Sequence, residues 1–457
     1  MTFSQKKFEA FAQKMEKEGL PQVVTNTFEF YYKKLVIGET GMISENEIQA
    51  VKNLPDSDSF SEEFTEFGKS ALPKTILLKL NGGLGTSMGL SKAKSLLEVK
   101  NGLTFLDIIA KQAIKSEIPL VLMNSFNTSD DSLEALESYT ELKGKIPLDF
   151  LQHKIPKIKQ EDFTVANCEE NPNLEWCPPG HGNIYTALVT SGMLDTLLDS
   201  GFEYAFVSNS DNLGAVMDEK ILGYFAKNNF PFMMECADRT EADKKGGHLA
   251  KYSSGQLILR ESAQCPKEDL DFFQNINLHR YFNTNSLWIH LPSIKKLMEA
   301  NDNVLELPMI RNSKTVDPKD SSSTPVYQLE TAMGSAIALI ENSAAIRVPR
   351  TRFAPVKTTN DLLAVRSDAY ILTDDFEVIG NPERKLGQIL VNLDSKYYKL
   401  INEMESRIPH TPSLLECEKL TVKGDVKFGK NVVVKGEAEV VNDSENQIVI
   451  KDDSVLP

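Results

Sequence analysis

The sequence predicts an α/β protein built on a mostly parallel, mixed sheet, with a helical segment before it and a module of stacked strands after it. Three observations predict this. From residue 75 onward short apolar runs alternate with amphipathic stretches, the pattern of strands joined by crossover helices that cover both faces of a parallel sheet. The first apolar run breaks into Leu80-Asn81-Gly82-Gly83-Leu84-Gly85-Thr86-Ser87-Met88-Gly89, a glycine loop whose backbone amides can approach an anion more closely than a Cβ would allow. Toward the C-terminus Leu420, Val426, Val432 and Ala438 recur every six residues, as do Val422, Phe428, Val434 and Val440. A hexapeptide period predicts a parallel β-helix, with an ordinary β-meander as the alternative.

Taken in order, residues 1–73 form a helical segment in which Phe8, Phe11 and Met15 share one face of a lysine- and glutamate-rich stretch. Residues 74–370 carry the strand–helix alternation. Strands are expected at Thr75–Leu80, Leu96–Val99, Pro119–Met123, Phe150–Gln152, Tyr204–Ser208 and Phe232–Cys236. Thr104 with Asp107 three residues on predicts a helix start, and a second helix is expected over Asn183–Leu198. Residues 371–457 hold a linking helix and the hexapeptide module, interrupted by the polar strip Asn442–Gln447.

Composition bounds the function. With 457 residues, 41% of them hydrophobic and 25% charged, the chain can build two or three domains around a large core. Its net charge of −15 argues against sequence-independent nucleic-acid binding, which needs a basic surface. No stretch has transmembrane length, and the lysine-bearing N-terminus lacks the apolar core of a signal peptide. The five cysteines are scattered without a Cys-x-x-Cys pair, which fits reduced thiols. A cytoplasmic protein with no membrane or nucleic-acid partner is the expectation.

The glycine loop matches neither the P-loop pattern nor the dinucleotide fingerprint. Lys92 and Lys94 follow it and supply positive charge. In Trp176-Cys-Pro-Pro-Gly-His-Gly-Asn183 two prolines, two glycines and a histidine precede a helix, a rigid loop suited to an anion or a base edge. Asp211, in Ser208-Asn-Ser-Asp-Asn212 at a strand end, is either a turn cap or a magnesium ligand, since Mg²⁺ takes one or two carboxylates and completes its shell with phosphate oxygens and water. Arg352-Phe-Ala-Pro-Val-Lys-Thr-Thr-Asn-Asp361 is a basic, proline-stiffened run. In an open α/β sheet ligands bind beyond the carboxyl ends of the strands, so these loops should converge.

Leu80 to Gly89 closely resembles the nucleotide-binding loop of the eukaryotic-type UTP:glucose-1-phosphate uridylyltransferases. Pro-Pro-Gly-His-Gly, the segment around Asp211 and Pro355-Val-Lys-Thr-Thr resemble further motifs of that family, in the same order. The resemblance implies a Rossmann-like nucleotidyltransferase domain with a left-handed C-terminal β-helix. It implies that Leu80, Asn81, Gly82, Gly83, Gln152 and Gly180 contact the nucleotide. His181 and Asn209 would approach the sugar phosphate, and Gly247, Glu261, Asn283 and Asn285 the hexose. Lys94 and Lys357 would act on phosphates and Asp211 would bind Mg²⁺. One departure is that Lys92-Ala93 stands where the family more often has Gly-Pro.

The implied reaction is attack of a glucose 1-phosphate oxygen on the α-phosphorus of UTP, giving UDP-glucose and pyrophosphate. Alternatives are a related enzyme using galactose 1-phosphate or an N-acetylhexosamine 1-phosphate, and a catalytically silent UDP-sugar-binding assembly protein. The strand edges of the C-terminal module offer a surface for homo-oligomerisation.

Overall fold

The structure, a computed structural model, describes residues 5–387 and 389–457. The first four residues of the N-terminal segment and Gln388 of the C-terminal region lie outside these. The helices Gln5–Lys17 and Gln22–Ile37 pack through the predicted face, with the Phe11 ring 5.0 Å from Tyr32 and 5.4 Å from Phe28. Tyr31 donates its hydroxyl to the carbonyls of Leu305 and Leu307, tying the pair to the body of the protein.

The N-terminal segment is not wholly helical, because residues 48–50 enter the central sheet as an edge strand. That sheet has ten strands: β1 (Ile48–Ala50), β2 (Thr75–Asn81), β3 (Leu120–Asn124), β4 (Asp149–Leu151), β5 (Tyr204–Asn209), β6 (Phe232–Asp238), β7 (His248–Tyr252), β8 (Leu257–Arg260), β9 (Tyr281–His290) and β10 (Ala344–Arg347). Its main path runs β1-β7-β9-β5-β2-β3-β4, with β6 joining β9 to β10 and β8 beside β7. The run β5-β2-β3-β4 is parallel, as is β6 with β10, while β9 is antiparallel to both β5 and β6. The sheet is therefore mixed rather than mostly parallel. The direction reverses at the tight β7–β8 hairpin, whose turn holds Gly255 at φ +93°, and β9 keeps the direction of β8, since both are antiparallel to β7; a strand's direction leaves no mark in the apolar pattern of a doubly buried strand.

Local rules account for most elements. Thr104 accepts from Asp107 N at 3.1 Å and Asp107 accepts from Thr104 N at 2.8 Å, closing the capping box of helix Phe105–Lys115. The expected helix over Asn183–Leu198 is two helices, Ile184–Thr190 and Met193–Asp199, because Gly192 takes φ +74° between them. The strand expected at Leu96–Val99 begins at Glu98, after a 3-10 turn over Lys94–Leu96.

In the C-terminal module β11 (Leu390–Leu393), β12 (Ser413–Lys423), β14 (Val433–Val441) and β16 (Val455–Leu456) form one parallel sheet, and β13 (Val426–Phe428) pairs in parallel with β15 (Ile448–Ile450). Leu420 sits opposite Ala438 and Val422 opposite Val440, a stagger of three hexapeptides. Leu414, Leu420, Val426 and Val432 are fully buried, so the sixth-residue positions point inward. Val426 pairs with Ile448, a longer stagger, and the extra residues lie in the Asn442–Gln447 strip. Asn442 pins that strip by donating to the carbonyls of Asp425 and Asn446.

Candidate active site

The parallel strands β2, β3 and β5 end on one edge of the sheet, and the polar loops that follow them converge there. Leu80, half-buried at the end of β2, lies in register with Asn209 of β5, and its carbonyl accepts from Ser210 N at 3.1 Å. Beyond it the glycine loop doubles back, and the carbonyl of Gly83 accepts from Lys94 N at 3.0 Å. That bond returns Lys94 to the mouth of the loop. Its ammonium meets Asp211 Oδ2 at 2.6 Å, with the two side chains 15% and 24% exposed.

The Asp211 loop is stitched to the segment carrying Lys357. The carbonyl of Asp211 accepts from Val356 N at 3.1 Å, Asn212 Oδ1 accepts from Ala354 N at 2.9 Å, and Asn212 Nδ2 donates to the carbonyl of Arg352 at 3.1 Å. Lys357 donates its backbone N–H to Asp361 Oδ2 at 2.9 Å, which also closes the capping box of helix Thr359–Arg366. The Lys357 ammonium lies 5.8 Å above the Phe353 ring.

A second, neutral set of bonds forms one wall. Gln152 donates its side-chain amide to the carbonyl of Gly180 at 2.9 Å, while Ser125 Oγ donates to the carbonyl of Gly82 at 3.0 Å. Gly180 has φ +79°, and a Cβ there would stand 2.4 Å from the carbonyl oxygen of Thr331. Glycine is therefore required at that position. His181 Nδ1 accepts from Met333 N at 2.9 Å. Burial pushes its pKa down to about 4, so the ring is neutral and carries its proton on Nε2 as a donor.

The opposite wall is built from β7, β8 and β9. The carbonyl of Gly247 accepts from Asn283 N at 3.1 Å, and Asn283 Nδ2 donates to Asn285 Oδ1 at 3.0 Å. A Cβ on Gly247 would stand 2.6 Å from Glu261 Oε2, so these two residues face one another across van der Waals contact. Burial raises the Glu261 carboxyl above the usual carboxylate range, and the positive charge of Lys357 opposes that shift. Lys357 is thus within electrostatic reach of this wall.

Two of the sequence-predicted groups sit apart from the opening. Asn81 is buried, and its amide donates to Asn124 Oδ1 and Ser132 Oγ at 2.8 Å each, so its side chain braces the loop from behind. Lys92 is 66% exposed and faces Asp131 at 3.6 Å, away from Lys94 and Asp211. Among the described residues no three His, Cys, Asp or Glu side chains cluster as a preformed metal site, and Asp211 is the carboxylate at the mouth.

Comparison with known proteins decides the family. The sequence profile of the UTP–glucose-1-phosphate uridylyltransferases matches residues 25–435. The chain belongs to that family. It is 44% identical over 396 residues to the UTP–glucose-1-phosphate uridylyltransferase of Solanum tuberosum, covering 85% of this chain and 81% of the potato protein. It is 41% identical over 394 residues to that of Saccharomyces cerevisiae, covering 85% and 78%. Among solved structures, a UDP-glucose phosphorylase from Trypanosoma brucei superposes with TM-score 0.91 at 44% identity, covering 99% of this chain and 98% of its own. A variant UDP-glucose pyrophosphorylase from Leishmania major in complex with UDP-glucose gives the same TM-score, 0.91, at 44% identity, with 99% and 98% covered.

The uridylyltransferase fold also contains a buried network that motif reading missed. Arg352 grips Glu235 with two hydrogen bonds at 2.8 and 2.9 Å, and Trp288 Nε1 donates to Glu235 Oε1 at 2.9 Å. Alongside, Lys79 donates to Ser208 Oγ at 2.7 Å and to the carbonyl of Ala215 at 2.9 Å. Burial, aided by the nearby Arg352 charge, pushes the Lys79 pKa down to about 7. Arg352 also carries the carbonyl that Asn212 holds, so this network underlies both charged loops. A lysine inside the apolar run Ile76–Leu80 was the available signal, since an unpaired charge is not tolerated in a buried strand.

Proposed function

We propose that this chain transfers the uridylyl group of UTP to glucose 1-phosphate, giving UDP-glucose and pyrophosphate. The observation that carries the reading is the meeting of Lys94, Asp211 and the Lys357 loop at the carboxyl edge of β2 and β5, above a glycine turn. One glucose 1-phosphate oxygen attacks the α-phosphorus, the bond from that phosphorus to the bridging oxygen breaks, and pyrophosphate leaves with the electron pair. The attacking phosphate is already ionised near neutral pH, so no general base is needed. The chain's task is to hold two anions together and to stabilise charge on the phosphoryl oxygens.

In this reading Lys357 serves both phosphates and Lys94 the triphosphate. Gln152 and Gly180, with the backbone at Leu80, Asn81, Gly82 and Gly83, hold the nucleotide. His181, kept neutral by burial, offers Nε2–H to the sugar phosphate together with Asn209, while Gly247, Glu261, Asn283 and Asn285 take the hexose. Asp211 suits Mg²⁺, because that ion uses one or two carboxylates and fills its shell with substrate phosphates and water. When bound, Mg²⁺ would neutralise charge on the triphosphate.

The test is pyrophosphate release from UTP and Mg²⁺ with glucose, galactose and N-acetylglucosamine 1-phosphates in parallel. Strong preference for glucose 1-phosphate supports the reading. Release with another sugar alone moves the substrate, and nucleotide binding without release turns it to a silent binding protein.

The finer features of the fold and its setting belong to the same proposal. The inward sixth-residue period and the stagger of three hexapeptides support a left-handed β-helix over the C-terminal module of residues 371–457, beside a catalytic unit of 74–370 and an N-terminal segment of 1–73. Exposed Leu390, Val449 and Val455 on its strands support homo-oligomerisation through that module, testable by light scattering. The five cysteines are free thiols, which supports a cytoplasmic setting.

A further inference from the structure

Behind the hexose wall lies a cluster of buried charge that the transfer reaction does not use. His248 and His279 stack with ring centroids 3.9 Å apart. Arg260 is wholly buried and donates Nη1 to Glu45 Oε2 at 2.7 Å and Nη2 to Asp269 Oδ2 at 3.1 Å. The second oxygen of Glu45 meets His279 Nε2 at 2.9 Å. A carboxylate accepts, so His279 donates there. The backbone N–H of Glu45 donates to Asp269 Oδ2 at 2.7 Å, locking the acid in place.

The placement of this cluster is what gives it meaning. His248 and Arg260 are cross-strand partners on β7 and β8. Each is the immediate chain neighbour of a hexose-side residue: His248 follows Gly247, and Arg260 precedes Glu261. One oxygen of Glu45 fixes Arg260, and the other fixes the ring on which His248 stacks. Glu45, from the 3-10 turn Glu45–Glu47 of the N-terminal segment, therefore reaches both sides of the Gly247–Glu261 contact, sharing Arg260 with Asp269. The nucleotide wall hangs on other bonds, those of Gln152 and Ser125 to the glycine carbonyls.

We infer that Glu45, through its contacts with Arg260 and His279, is a positioning residue that sets the affinity and selectivity of the site for the sugar 1-phosphate independently of the nucleotide. The inference rests on the assignment of Gly247 and Glu261 to the hexose. It gives the N-terminal segment a role in the reaction. The strands themselves are paired by their backbone, but a carboxylate held by a buried guanidinium on one side and an imidazole on the other fixes the side chains next to Gly247 and Glu261, and fixed neighbours are what a hexose pocket needs to tell one epimer from another.

The experiment is steady-state kinetics on the full chain. In E45Q the amide keeps the shape but loses the charge and one acceptor. KM for glucose 1-phosphate should rise roughly tenfold, equivalent to about 1.4 kcal/mol, with KM for UTP within about twofold of the wild type, and the preference over galactose 1-phosphate should narrow. E45D should recover part of the loss. Should E45Q fail to fold, H279L, which leaves the Glu45–Arg260 pair intact, should give a smaller shift in the same direction. E261Q reads the underlying assignment separately. If E261Q raises KM for the sugar and neither E45Q nor H279L does, the role of Glu45 is overturned while the site stands. If none of the three moves that constant, the hexose assignment falls and the inference with it. Equal rises in both KM values, or a lower Tm alone, would reduce Glu45 to a structural residue and overturn the inference.

Discussion

The two walls of the site are held by opposite means. On one side Gln152, Ser125, Gly82, Gly180 and His181 are held by neutral hydrogen bonds to or from backbone groups. On the other side Lys94 with Asp211, Arg352 with Glu235, and Arg260 with Glu45 form ion pairs between distant segments. Neutral bonds to backbone fix shape at little desolvation cost. Buried ion pairs repay their desolvation only while every partner is present. The first wall should therefore yield gradually to substitution and the second abruptly.

The largest effect should come from Glu235. Glu235→Leu leaves the Arg352 guanidinium buried without its bidentate partner, and breaking such a pair costs about 3–5 kcal/mol. Denaturant unfolding should show that loss, and a variant as stable as the wild type would undo the contrast between the walls. Next, Lys357→Ala should lower kcat by roughly 10²–10³, the effect of removing one preorganised donor, with the fold intact by circular dichroism. On the neutral wall Gly180→Ala places a Cβ 2.4 Å from a carbonyl oxygen at φ +79°. It should cost about 1–3 kcal/mol and raise KM for UTP more than that for the sugar. The smallest effect is expected for Gln152→Ala, which forfeits one hydrogen bond worth about 0.5–1.5 kcal/mol and should raise KM for UTP a few-fold.

Acid should act on both walls together. Burial depresses the pKa of His181 to about 4, and His153, His248, His279 and His290 are lowered by burial as well. A histidine kept neutral in the fold binds its proton in the unfolded chain first, so the unfolded state holds more protons below the ordinary histidine pKa of about 6.5. Stability from these groups is fully present above that value and is lost as pH falls from there toward about 4 for His181. Tm measured across this window should fall steadily, and a flat profile would contradict the burial of these rings.

The same contrast governs what could be read from sequence. The Thr104–Asp107 box, the glycine loop, Pro-Pro-Gly-His-Gly and the inward sixth residues are local patterns, each settled within a dozen residues. What escaped is long-range. Ile48–Ala50 is too short to show a period, and its partner β7 lies two hundred residues away. The antiparallel pairing of β9 with β5 and β6 leaves an apolar strand looking like any other. Glu235 and Arg352 stand 117 positions apart, and Glu45 and Arg260 stand 215; a buried guanidinium advertises its need for a carboxylate but not which one. Asn81 was legible as part of the loop, yet its buried amide is spent on Asn124 and Ser132, a choice that follows from β2 and β3 lying side by side.

The converging Lys94, Asp211 and Lys357 loops are expected to carry out uridylyl transfer rather than to hold a nucleotide sugar. Phosphorus-31 NMR of the protein with UTP, glucose 1-phosphate and Mg²⁺ tests it most directly. The signals of UTP and glucose 1-phosphate should decline together while UDP-glucose and pyrophosphate appear in equal amounts, and the Lys357→Ala protein should slow this by at least about a hundredfold. Broadened UTP signals with no product, or equal turnover in the variant, would contradict it.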